Sequence, residues 1–211
     1  MMERAYNEWS IQAYLDKLAS AGPEPGGGSV AALTGALAAG LVTMVTALTL
    51  GKEKYATVQG DMDEMAAEAE ELRADLSGFI TADAEAYAQV AAAMKMPRDN
   101  DVQKKERTKV LQAALKGAAE VPLKVAGAAL DVARLSLPAA EKGNPNAVSD
   151  AGAAVLLADS AAQAAALNVR INLAWIEDDV FKKHAWTRIE AILSETGRLR
   201  DIVLALTYSK I

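Results

Sequence analysis

The stretch Val30–Leu50, VAALTGALAAGLVTMVTALTL, decides the fold class, because it contains no charged residue and is dominated by Ala, Leu, Gly, Thr and Val. A run of this length can cross a bilayer. Its Ala, Gly and Thr contribute little to insertion, however, and neither an aromatic belt nor a basic flank frames it. It reads as the buried central helix of a soluble protein. A helix that is apolar on every side must be covered on every side, and a second subunit is a candidate for part of that cover. Ala32, Ala36 and Gly40 fall four apart, a spacing that lets a neighbouring helix come close.

The flanking sequence extends the same pattern. Upstream, Ser10 is a good N-cap for a helix with Ile11, Tyr14, Leu15 and Leu18 on one face, stopping at Gly22-Pro23. Downstream, periodicity predicts helices over Asp61–Met94, over Asp101–Leu137 with a kink at Pro122, over Asp150–Ile176 and within His184–Tyr208. No segment reads as a strand, no repeat or linker divides the chain, and hydrophobic residues make up 52% against only 5% aromatics. That apolar content is mostly Ala, Leu and Val, which suits closely packed helices. The expectation is an all-α, single-domain bundle of long helices over residues 1–211, dimeric through its most apolar helices.

Charge and residue usage narrow the function. A net charge of -6 argues against a nucleic-acid or anionic-membrane partner. The absence of Cys removes thiolate chemistry and Cys-based metal sites, and the lone His184 removes multi-histidine sites. A metal-free site without a cofactor is expected, an oxygen-ligated ion being the one metal class left open. Met1-Met2-Glu3-Arg4 has no apolar signal core, so a cytoplasmic chain is expected. His184, beside Trp186 and without a partner motif, reads as structural or solvated.

Three places interrupt the apolar helices with polar chemistry. Gly26-Gly27-Gly28-Ser29 precedes the Val30 run, so it is either a tight turn with Ser29 as N-cap or a helix N-terminus offering N–H groups to an anion. Asp83 falls in the stripe Leu72, Leu76, Phe79, Ile80, Asp83, Tyr87, Val90, Met94, inside the apolar face. A carboxylate there must either be partnered, by an ion pair or a helix end, or carry a raised pKa suited to acid–base work near neutrality. The third is a segment dense in amides and acids: Asn144, Asn146, Ser149, Asp150, Asp159, Gln163, Asn168, Arg170 and Asn172. Ser149 or Asp150 can cap a helix. Asn168 and Asn172 share a helix face and suit either a flat heterocycle or neighbouring helix ends.

Four blocks in this order resemble one family: Pro23-Glu24-Pro25-Gly26-Gly27-Gly28-Ser29, Asp83-Ala84-Glu85-Ala86-Tyr87, Gly143 to Asp150, and Asn168-Val169-Arg170-Ile171-Asn172. They resemble the formiminotetrahydrofolate cyclodeaminase/methenyltetrahydrofolate cyclohydrolase family over nearly the whole chain. Tyr87 stands where that family often has Phe. The resemblance implies an all-helical homodimer with a folate cleft near the subunit interface and Asp83 as the catalytic acid–base group. It further implies substrate contacts from Gly26, Gly27, Gly28, Ser29, Tyr87, Asn144, Asp150, Asn168 and Asn172, with either the Gly-rich helix N-terminus or Lys52 and Lys54 as candidates for the glutamate carboxylates. The substrate would be a tetrahydrofolate derivative. Without a formiminotransferase domain in these 211 residues, the expectation tilts to hydrolysis of 5,10-methenyltetrahydrofolate to 10-formyltetrahydrofolate. The alternatives are the ammonia-releasing cyclodeaminase and a non-catalytic helical folate-binding or scaffold protein.

Overall fold

Side chains set three of the six α-helix starts. Ser10 accepts the Ala13 N–H and opens α1 (Ile11–Leu18), Asn100 accepts the Gln103 N–H and opens α4 (Asp101–Lys142), and Asp178 accepts the Phe181 N–H and opens α6 (Asp179–Lys210). The other long helices are α2 (Gly27–Ala47), α3 (Gln59–Met94) and α5 (Val148–Leu173). Short 3-10 turns cover Tyr6–Glu8, Glu53–Val58 and Pro145–Ala147. The computed structural model describes residues 5–211, and among them there is no strand. Met1–Arg4, on which the cytoplasmic expectation rests, lie outside the described residues.

Several boundaries differ from the sequence reading. α1 ends four residues before Gly22, and only its Tyr14 is buried, while Ile11 is 81% exposed. α4 continues through Pro138 to Lys142. Neither α2 nor α5 has a side-chain cap of its own: Gly26 and Ala147 occupy their N-cap positions, so Ser29, Ser149 and Asp150 are not caps.

From α2 to α5 the chain runs up and down. Gly28 meets Asp83, Gly35 meets Leu76 and Gly40 meets Arg73, so α2 and α3 are antiparallel. Arg107 reaches Met94, and Lys142 pairs with Asp61 at the other end, so α3 and α4 are antiparallel too. α5 returns beside α4, with Asn172 on Ala118 and Gln112 on Trp175. α2 also comes close to α3 at Gly35, where a Cβ would stand 2.9 Å from Leu76 Cδ2. The anticipated small-residue stripe contributes less: Ala32 and Ala36 are buried, but Gly40 has only Arg73 Cδ within reach. The core is a low-volume, Ala-rich seam, including Ala31, Ala38, Ala39, Ala158, Ala161 and Ala165 at 0% exposure.

This alternation sorts the polar blocks by end. The starts of α2 and α4 and the finishes of α3 and α5 lie at one end of the bundle, and the complementary termini lie at the other.

Candidate active site

At the first end a cavity of about 330 Å³ opens between α2, α3, α4 and α5. Pro23, Glu24, Gly26 and Gly27 line one side, Asp83, Tyr87 and Met94 a second, Leu115 and Ala118 the floor, and Asn168, Asn172 and Trp175 the far wall. Tyr87 and Met94 belong to the α3 stripe yet are each 48% exposed, because that stripe leaves the core here and faces the cavity.

Asp83 is held by the start of α2. The first intrahelical bond of α2 runs from Val30 N–H to Gly26 C=O, which leaves the N–H groups of Gly27, Gly28 and Ser29 outside the helical ladder. Ser29 N–H donates to Asp83 Oδ2 at 3.0 Å. A carboxylate from α3 thus does the capping that α2 lacks, at the positive end of its dipole. The acid lies so close that a Cβ on Gly28 would stand 2.1 Å from its Oδ1. The Ser29 hydroxyl donates to Ile80 C=O at 2.9 Å and lies 3.0 Å from the Tyr14 hydroxyl, pinning α2 to α3 and α1. Both roles weighed for this turn are altered: Ser29 ties helices together instead of capping its own, and one of the free N–H groups is taken by the protein's own acid.

Burial raises the Asp83 pKa. The Ser29 N–H opposes this, and the negative charge of Glu24 adds to it. Among the described residues Asp83 has no ion-pair partner, unlike Asp159, which is 4% exposed and bound by Arg200 and Gln163 at 2.8 Å each. Burial also raises the Tyr14 pKa, with the Ser29 hydrogen bond opposing and the Asp83 charge adding.

The two α5 amides face the cavity with part of their capacity spent. Asn168 Nδ2 donates to Ala164 C=O on its own helix, and the side chain lies against Gly27. Asn172 Nδ2 donates to Ala118 C=O at 2.9 Å. Pro122 has no N–H to give to that carbonyl four residues back, so the expected kink residue supplies the reason for the Asn172 contact. Each amide oxygen remains an acceptor for a ligand.

Other sequence candidates lie elsewhere. Asn144 is buried at the opposite end, bound to Leu48 C=O, the Thr49 hydroxyl and the Tyr55 hydroxyl. Asp150 sits in the first turn of α5, and Lys52 and Lys54 follow the end of α2, so none of these lines the cavity. The up-and-down path separates them from it. His184 is exposed on α6, and among the described residues no group of three His, Asp or Glu comes together as a metal site. Glu24 was not anticipated. It lines the cavity beside Asp83, and the only sequence signal for it was its place within the Gly-rich block.

Known proteins are similar to this chain in sequence and in structure. Methenyltetrahydrofolate cyclohydrolase of Methylorubrum extorquens is 41% identical over 96% of this chain and 97% of its own length. Formimidoyltransferase-cyclodeaminase of Rattus norvegicus is 32% identical over 96% of this chain, which spans 37% of that longer protein. The crystal structure of formiminotetrahydrofolate cyclodeaminase from Thermotoga maritima superposes with a TM-score of 0.87 at 31% identity, covering 96% of this chain and 97% of that one. The sequence pattern of the formiminotransferase-cyclodeaminase family matches residues 10–191, and the chain belongs to that family.

Proposed function

We propose that the protein hydrolyses 5,10-methenyltetrahydrofolate to 10-formyltetrahydrofolate, with Asp83 as general base. The observation that carries this reading is a proton-avid carboxylate without an ion pair, fixed on a helix N-terminus at the edge of a largely apolar cavity. Water attacks the amidinium carbon between N5 and N10 while Asp83 takes its proton. The carbon–N5 bond then breaks as N5 is protonated and the carbonyl forms, leaving the formyl group on N10. The substrate's positive charge leaves as one released proton. An anionic carboxylate favours the cationic reactant and is neutralised as the water is activated. The Asn168 and Asn172 oxygens suit the donor edge of a pterin, and Tyr87 and Trp175 suit its faces.

The direct test is loss of the near-ultraviolet absorbance of 5,10-methenyltetrahydrofolate with purified protein, against the buffer rate. Acceleration supports the proposal; an unchanged rate with measurable folate binding would favour a non-catalytic role. The second reading is ammonia release from 5-formiminotetrahydrofolate, favoured by the likeness to the Thermotoga maritima enzyme and readable by an ammonia assay on the same preparation.

The remaining parts of the proposal are that no metal or organic cofactor takes part, so chelation leaves the rate unchanged, and that the chain works in the cytoplasm without nucleic-acid or membrane partners. We also propose a homodimer. α2 carries no charged residue, yet its Leu37 and Met44, and Leu48 just past its end, are exposed on one side.

A further inference from the structure

We infer that Glu24 is the charge-selecting residue of the cavity, recognising a cationic one-carbon unit on the ligand while Asp83 handles the proton. This rests on the folate reading above and deepens it. Glu24 and Asp83 are the two charged residues lining the cavity, both acidic, and among the described residues no Lys, Arg or His lines it. The carboxylate of Glu24 forms no hydrogen bond or ion pair among the described residues, so no neighbour spends its charge. It also stands close enough to Asp83 for its charge to hinder Asp83 ionisation.

The groups around Asp83 on each packed element make this pairing specific. α2 contributes the Ser29 N–H and no charge, α1 the Tyr14 hydroxyl and, beside Gly22 but outside the cavity lining, the Lys17 ammonium, and α5 the neutral Asn168 and Asn172. On α4 the cavity-lining Leu115 and Ala118 are neutral, and the neighbouring Lys116 is engaged by Asp178. The Arg170 guanidinium stacks on Trp186. Glu24 is therefore the one carboxylate outside α3 positioned to set the potential that Asp83 and a ligand feel. A site with two acids and no base selects a delocalised cation such as an amidinium over a neutral formamide. In hydrolysis the substrate carries that charge and the product does not, so Glu24 would hold the substrate and let the product go.

The test is Glu24→Gln, with Glu24→Asp as the charge-retaining control. The KM for 5,10-methenyltetrahydrofolate should rise about tenfold, the scale of one charge-assisted contact. Inhibition by 10-formyltetrahydrofolate should stay within about twofold, since its one-carbon unit is neutral. The Asp83 carboxyl, followed by carbon-13 NMR without ligand, should titrate at lower pH in Glu24→Gln than in the wild type and in Glu24→Asp. Equal weakening of both folates would make Glu24 a shape contact and overturn the inference. An unmoved Asp83 titration would also overturn it, whatever the folate assays show. Wild-type protein that neither binds nor turns over either folate would sink the folate reading itself, and the two failures are thereby distinguishable.

Discussion

At the scale of the residue, the proposed chemistry turns on Asp83 and the glycine beneath it. Its place in the apolar stripe was legible from steps of three and four along α3. Its partner was not, because the Ser29 N–H lies 54 residues away in sequence and belongs to the backbone. Asp83→Asn keeps an oxygen for that N–H and removes proton transfer, so kcat should fall by roughly 10²–10⁴-fold. Stability should move the opposite way from the loss of an ion pair. Folding raises the Asp83 pKa, so the folded state binds this proton more tightly than the unfolded chain. Wild-type stability therefore drops as pH rises from the ordinary carboxylate range through the raised value and stays lower above it. Asp83→Asn should melt no lower than wild type at neutral pH, and the gap should close toward acid. A melting curve that falls sharply at pH 7 would contradict this. Gly28→Ala should place a methyl where the carboxylate now sits, lowering both the melting temperature and kcat. In an Asp83→Ala background the same change should cost little stability, because the obstacle is gone. Equal losses in both backgrounds would mean that Gly28 acts through something other than Asp83.

At the scale of the element, helix existence was legible and helix ends were not. All six helices were placed near their residues, the long ones because their periodicity is long, and Ser10 was identified correctly as a cap. The errors came where tertiary contacts replaced local rules. α2 takes its cap from Asp83, so Ser29 was free for another task, and α4 runs through Pro138 where the sequence suggested an end. Pro122 shows how such a contact links two elements. The Ala118 carbonyl it leaves without a helical donor is satisfied by Asn172 of α5. Asn172→Leu should leave that buried oxygen unpaired and destabilise the fold by about 1–3 kcal/mol. In a Pro122→Ala background, where an N–H is restored to the ladder, the same substitution should cost clearly less. Denaturant midpoints of the four proteins give the coupling directly, and additive losses would remove this account of the Asn172 contact.

At the scale of the whole molecule, the up-and-down path explains which site residues come together. Gly26 to Ser29, Asp83, Tyr87, Asn168 and Asn172 meet at one end because each lies near a terminus that the alternation brings there. Asn144 and Asp150 were singled out by their polar chemistry and by the resemblance of their block to the family, and no local pattern showed that α5 begins at the far end. An antiparallel two-fold pairing of α2 with its copy would lay the Gly143–Asp150 end of one subunit near the Gly-rich end of the other. The face for such a pairing is available: Leu37 is 56% exposed on a helix with no charge, and Leu167 on α5 is 72% exposed. Burying such side chains is worth about 1.5–3 kcal/mol each, so several per subunit can offset the cost of association. The protein should therefore sediment as a dimer at micromolar concentration. Leu37→Glu should bring an unpaired charge into the middle of that face and shift the mass to monomer, while the helical circular dichroism persists. Turnover should fall with the dimer fraction and recover at high protein concentration. A wild-type monomer with full activity would remove both the dimer and any role for the far end in the site, leaving the cavity of a single chain to do all the chemistry.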